Sequence, residues 1–225
     1  LFLDNVRLQP VLFSSVHIFK REVPMYDCFE VGFTIPFAFD NPFDPDCVAV
    51  DGCFTLPSGK EQVVPGFFFQ NYFFESLGEK WRDRLSPEGA PEWRVRFCPT
   101  EPGKHRFRLS CSVDGGKTRF FSQEYAFWAV ASDRPGFVRV HPSDSRYFFR
   151  ERTGFFYPVG HNIRSLNDTR DAKVRETPLA GETGAQIFRQ WLIEMQNAGE
   201  NFFETWMSAW WLAIEWKKDA DWYEG

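Results

Sequence analysis

No run of about 18 apolar residues occurs in this 225-residue chain, so nothing in it has the length to cross a bilayer as a helix, and no membrane partner is expected. The first ten residues also lack the basic segment and long apolar stretch of a secretory signal. An excess of positive charge is missing too. Lys plus Arg total 26 against 31 Asp plus Glu, a formal net charge of −5, which argues against a general nucleic-acid binder. Metal-ligand spacing is absent: Cys28, Cys47, Cys53, Cys98 and Cys111 all fall in the first half, and His17, His105, His141 and His161 are scattered. Neither a metal nor another cofactor is expected. Five is an odd count that fits buried free thiols at least as well as a disulfide framework. Aromatic residues are what the chain has in excess, 27 Phe, 9 Trp and 6 Tyr, or 19%. Rings of this kind favour strands and bury large areas, and exposed indoles stack on flat apolar faces such as those of sugars.

The pattern from Tyr26 to about Val140 has period two. Phe29, Val31, Phe33, Ile35, Phe37 and Phe39 alternate with smaller or polar residues, which predicts one long strand with a single buried face. Val48, Val50, Phe54 and Leu56 run into a turn at Pro57 to Lys60. Trp93, Val95 and Phe97 form another inward set. Thr100 to Lys104 turns the chain, and Phe107, Leu109, Cys111 and Val113 return as the second arm of a hairpin. Asp114 to Lys117 is a glycine-rich hairpin turn, not a phosphate loop, because no helix follows it. With Tyr125, Phe127 and Ala129 the count reaches about seven short strands at sandwich-like spacing.

The rules change after Ser132 to Gly136. A lead-in hairpin over Phe137 to Val140 and Tyr147 to Phe149 is followed by Phe155 to Val159, a continuous apolar run that predicts a strand buried on both faces. Thr183 is placed to cap a helix carrying Ile187, Phe188, Trp191, Leu192 and Met195 at helical spacing, and Gly199 stops it. Asn201 to Met207 is a second buried strand. Strand, helix and strand make a βαβ unit, which requires a parallel sheet. The expected division is residues 1–134 as a β-sandwich and 135–225 as a lead-in hairpin with the incomplete opening of a larger α/β domain.

Three stretches, Asp40 to Asp46 (DNPFDPD), Phe54 to Tyr72 and Trp93 to Leu109, resemble the immunoglobulin-like β-sandwich of unknown function that precedes the catalytic barrel in a group of bacterial glycoside hydrolases. Gln70-Asn71 departs from the Asp-Gly pair common there. Tyr157 to Ser165 together with Phe188 to Trp216 is similar to the first βαβ of the (β/α)8 barrel in those enzymes. The resemblance implies a mostly β chain: an immunoglobulin-like β-sandwich followed by the truncated start of a (β/α)8 barrel. It also implies a secreted or periplasmic parent enzyme that degrades a polysaccharide or oligosaccharide, and a partner in the missing barrel of the same chain. Glycosidases that retain configuration use two carboxyl groups about 5–5.5 Å apart. The resemblance places these after the fourth and near the seventh barrel strands, beyond this sequence. Glu204 and Glu215 are accordingly read as solvated or ion-paired, and the fragment itself is expected to be inactive.

Candidate glycan contacts are His161 and Asn162, read as following the first barrel strand, and Trp206, Trp210 and Trp211 at the end of the second. The first pair either bonds sugar hydroxyls or anchors a loop. The tryptophans are either subsite walls or barrel core. A further expectation concerns Arg94, Arg96, Arg106 and Arg108, placed by alternation on the outward face of one hairpin. Four guanidiniums there need a counter-charge. Asp44, Asp46, Glu75, Glu79, the absent barrel or an acidic polysaccharide are the candidates. A non-catalytic carbohydrate-binding or docking module is the alternative to the enzyme reading. An adhesion-type module is a third, and the βαβ signal argues against it.

Overall fold

The computed structural model describes residues 12–76, 83–113, 115–163 and 185–205. They divide into two compact units, the first taking the described residues up to 71, 88–137 and 150–153, the second the remainder. The chain is mostly β.

The strands of the first unit, two of which (β6 and β7) extend their 72–76 and 83–87 ends into the second, are β1 (Ser14–Ile18), β2 (Glu22–Pro24), β3 (Phe29–Thr34), β4 (Val48–Thr55), β5 (Glu61–Pro65), β6 (Phe67–Ser76), β7 (Asp83–Phe97), β8 (Gly103–Val113), β9 (Thr118–Phe121) and β10 (Tyr125–Val130). One sheet has the order β1-β3-β7-β6; the other runs β2-β10-β8-β4-β5, with β9 on β8. Strand β3 is antiparallel to β1 and β7, whereas β2 runs parallel to β10.

Alternation makes one face of each sheet apolar, and the two faces share a single core. Phe29 of β3 stacks on Phe127 of β10 with ring centroids 3.9 Å apart, and Phe54 of β4 stacks on Phe97 of β7 at 4.1 Å. Each pair takes one ring from each sheet. Burying a phenylalanine contributes about 1.5–3 kcal/mol, and ring–ring geometry adds roughly 0.5–1.5 kcal/mol. Gly52 makes the stack possible: a Cβ there would lie 2.6 Å from both the Phe54 ring and Val95.

Three expectations are corrected. Strand β3 stops at Thr34 instead of running to Phe39, because Pro36 has no N–H for a ladder and Phe37 turns outward, 55% exposed. Strands β7 and β8 are not a hairpin. The turn at Thr100 to Pro102 carries the chain from one sheet to the other, so Arg94 and Arg96 sit on a different sheet from Arg106 and Arg108. The turns at Gly59, Gly115 and Gly116 do have the positive φ expected of them (86°, 63° and 85°). The third correction concerns Phe155 to Val159, which is no doubly buried strand. Phe155, Tyr157 and Val159 are exposed, and only Phe156 is buried.

In the second unit β11 (Val138–Val140), β12 (Phe148–Arg150) and β13 (Gly154–Phe156) form a three-stranded sheet. The parallel strands come later, as β14 (Gly160–Ile163) and β15 (Phe202–Thr205), with helix α1 (Ala185–Asn197) between them in sequence. Gly160 is required where the strands meet, since a Cβ would fall 1.6 Å from the carbonyl oxygen of Phe202. Gly199, at φ 79°, ends α1: its N–H donates to Gln196 O at 3.0 Å and that of Glu200 to Met195 O at 2.9 Å, the paired bonds of a Schellman cap. Thr183, the expected N-cap, lies outside the described residues.

Candidate functional site

The outer face of the first sheet carries a closed network of charge and rings. In β3 the backbone carbonyl of Glu30 accepts from Phe19, on the β1 side, so Glu30 and its opposite number Arg96 form a non-hydrogen-bonded pair in the β3–β7 ladder. Side chains approach most closely at such pairs. Glu30 accepts from Arg96 Nε and, through Oε1, from Arg94 Nη1 at 2.7 Å. Arg94 Nε also donates to Glu92 Oε1 at 2.7 Å. The Arg94 guanidinium lies 3.7 Å from the Phe69 ring centroid and 4.9 Å from that of Phe19, and Arg96 lies 4.9 Å from Phe67. His17 Nε2 is 3.4 Å from Glu92. Gly32 leaves the space: a Cβ there would come within 2.5 Å of the His17 ring. The counter-charge for Arg94 and Arg96 is thus Glu30 and Glu92, which the sequence reading did not name. Arg94 is thus paired with two carboxylates and stacked against two rings.

Arg106 and Arg108 behave differently. Both are exposed on the outer face of the second sheet, opposite Thr55 and Cys53 of β4, and make no ion pair among the described residues. On the same face Lys104 Nζ is 5.3 Å from the ring centroid of Trp128, which is 49% exposed. A shallow depression of about 400 Å³ beside them is lined by Cys53, Thr55, Glu61, Val63, Arg108 and Phe121, among others. Its lining sets the Phe121 ring beside Arg108 and the two carboxylates Glu61 and Glu124. The signal for Trp128 was available, since a residue between inward Phe127 and Ala129 must point outward.

His161 and Asn162 lie within β14, not after it, opposite Phe203 and Glu204 of β15. His161 Nδ1 donates to Glu200 Oε2 at 2.8 Å, at the N-terminal approach to β15. Asn201 fastens the same approach: its side chain accepts from Val159 N at 2.9 Å and donates to Tyr157 O at 3.2 Å. That geometry favours anchoring for His161, while Asn162 stays exposed. Glu204 is exposed in β15. Trp206, Trp210, Trp211 and Glu215 lie outside the described residues.

His105 is a fully buried polar side chain of the first unit, with its ring 4.9 Å from that of Phe127. Its Nδ1 faces Gly103 O at 3.3 Å, whereas Nε2 has no partner. Burial pushes its pKa down, and the core around it admits no substrate. Burial likewise pushes the Cys111 thiol up to about 11. Among the described residues no three His, Cys, Asp or Glu side chains converge as a metal site. No described helix is long and apolar enough to cross a membrane.

No curated protein matches this chain. A solved structure described as a putative glycoside hydrolase from Bacteroides vulgatus is similar, with 20% identity and a TM-score of 0.45 over 69% of this chain. The match covers 26% of that protein, so the chain spans about a quarter of its length. Residues 22–112, which hold seven of the ten strands of the first unit, β2 to β8, match a family model described as a domain of unknown function, DUF5060.

Proposed function

We propose that the first unit is an immunoglobulin-like β-sandwich serving as the accessory domain of a glycoside hydrolase, and that β14, α1 and β15 open the catalytic (β/α)8 barrel. The observation that carries this reading is the parallel β14–β15 pair with a helix between its strands in sequence. A self-contained binding module has no need of such a unit. Phe202 and Phe203 of β15 remain exposed at 48% and 42%, as strands do when the rest of their domain would cover them. In this reading the sandwich braces the barrel, and Asn162, with one of Trp206, Trp210 or Trp211, contacts a polysaccharide near the strand ends where barrel sites are built. The catalytic carboxylates belong to later strands, and the protein works outside the cytoplasm.

The test is turnover of plant and algal polysaccharides by the whole protein, with and without Asn162→Ala. Hydrolysis weakened by the substitution without loss of folding supports the reading. Unchanged kinetics for Asn162→Ala and for alanine at each of the three tryptophans would remove the contact assignment. The exposed Trp128, Arg106 and Arg108 favour a second reading, a carbohydrate-binding face on the sandwich. Binding of neutral or uronate oligosaccharides to this chain, lost in Trp128→Ala, would support it; for uronates the affinity should fall steeply with salt.

A further inference from the structure

The β3–β7 ladder ends at Phe29 opposite Phe97. Phe29, Val31 and Phe33 face Phe97, Val95 and Trp93 on the inner side, while Glu30 faces Arg96 on the outer side. Glu30 turns its backbone toward β1, so the even positions of β3 are the non-hydrogen-bonded ones with respect to β7. Carried one residue past the ladder's end, the register sets Cys28 against Cys98, in the same class of pair as Glu30 and Arg96; just beyond, Tyr26 N donates to Pro99 O at 2.8 Å and keeps the two segments together. Opposite residues of that class have Cα atoms about 4.5 Å apart, inside the range of about 4.4–6.8 Å that a disulfide spans.

Two further observations place the thiols together. Cys28 and Cys98 line one shallow depression of about 370 Å³ with Tyr26, Asp27, Arg96 and Phe97. The Cys98 thiol is held above its ordinary pKa first by burial and next by Cys28, a neighbour close enough to be felt electrostatically. The remaining cysteines are placed otherwise. Cys47 donates to Asp44, Cys53 lies near Ser110 on the outer face of the second sheet, and Cys111 points into the core.

We propose that Cys28 and Cys98 form a redox-active pair that closes to a cross-strand disulfide in an oxidising compartment, stapling the end of β3 to β7. The oxidant is a low-molecular-weight or protein disulfide. The exposed Cys28 loses its proton and attacks one sulfur of glutathione disulfide, releasing one glutathione thiolate. The Cys98 thiolate then attacks the Cys28 sulfur of the mixed disulfide and releases the second. Two protein thiols are oxidised, one glutathione disulfide is reduced to two glutathiones, and the protein loses two hydrogens. The bond closes a long loop of chain, so it restricts the unfolded state strongly.

The test uses the whole 225-residue chain, equilibrated with glutathione disulfide and glutathione at an oxidising ratio, then alkylated and mapped by mass spectrometry without reduction. The expected map has one linked peptide pair, Cys28 with Cys98, and alkylated Cys47, Cys53 and Cys111. The melting temperature should rise by roughly 5–15 °C on oxidation and return with dithiothreitol. Cys28→Ser and Cys98→Ser should each abolish both the link and the shift. Wild-type chain in which Cys28 and Cys98 are alkylated or separately glutathionylated at equilibrium, or linked to other cysteines, overturns the proposal without reference to any variant.

Discussion

Phe29 lies flat against Phe127, the planes 15° apart, and so joins β3 of one sheet to β10 of the other. The same ring meets Phe107 edge-on at 5.3 Å and Phe54 at 6.1 Å. Truncating it removes contacts with three strands of the opposing sheet. Phe29→Ala should cost about 3–5 kcal/mol in chemical denaturation, whereas Phe43→Ala, at a ring 76% exposed, should cost far less. Equal effects would mean that the two sheets do not share this core.

Glu30 is the shared acceptor for Arg94 and Arg96 and is itself largely covered, with 16% of its side chain exposed. Glu30→Ala leaves two guanidiniums on adjacent positions of one face with half their counter-charge gone. A loss of about 1–3 kcal/mol is expected. Arg96→Ala, at a side chain 51% exposed, should cost under about 1 kcal/mol. Urea denaturation of the two variants beside wild type checks the order.

His105 makes the fold sensitive to mild acid. Burial lowers its pKa in the folded chain below the ordinary 6.5, so the unfolded chain takes up the proton first. Stability is therefore undiminished by this group above pH 6.5 and falls progressively as the pH drops from there toward the lower folded value. His105→Phe, which keeps a ring between Phe97 and Phe127, should flatten that part of the profile. Denaturation midpoints through this range settle it, and an unchanged slope in the variant would reject His105 as the cause.

The segment after β10 is tied down by its backbone. Ser132 Oγ donates to Met25 O at 2.6 Å, and Arg152 Nη1 donates to Arg134 O at 2.8 Å and also to Ser132 O. Arg134 pairs with Asp27 at 3.0 Å. Local opening must break these bonds before a protease can take the strand. Endoproteinase Asp-N should cut the Ser132–Asp133 bond several-fold faster in Arg152→Ala than in wild type, read from the time course of fragments. No change in that rate would show that Arg152 does not hold the segment.

Period-two alternation was enough to read the inner faces from sequence. Val48, Val50, Phe54, Trp93, Val95, Phe97, Phe107, Leu109, Cys111 and Phe127 are all buried as their spacing requires, because a strand sends successive side chains to opposite sides wherever it lies. The glycine turns and the helix stop at Gly199 were legible for a similarly local reason, a positive φ that other residues resist. The partner of each strand was not legible. Alternation says which residues face inward, but β7 and β8 alternate identically whether they pair in one sheet or face each other across a core. Only the packing of Phe97 against Phe54 and Phe127 decided that, and with it the separation of Arg94 and Arg96 from Arg106 and Arg108. The apolar run before Gly160 misled for the same reason: hydrophobicity reports a preference for burial, and whether Phe155 and Tyr157 find a covering surface depends on chain far away in sequence. The opposition of Glu30 and Arg96, far apart in sequence, is likewise a property of register, which tertiary structure alone sets.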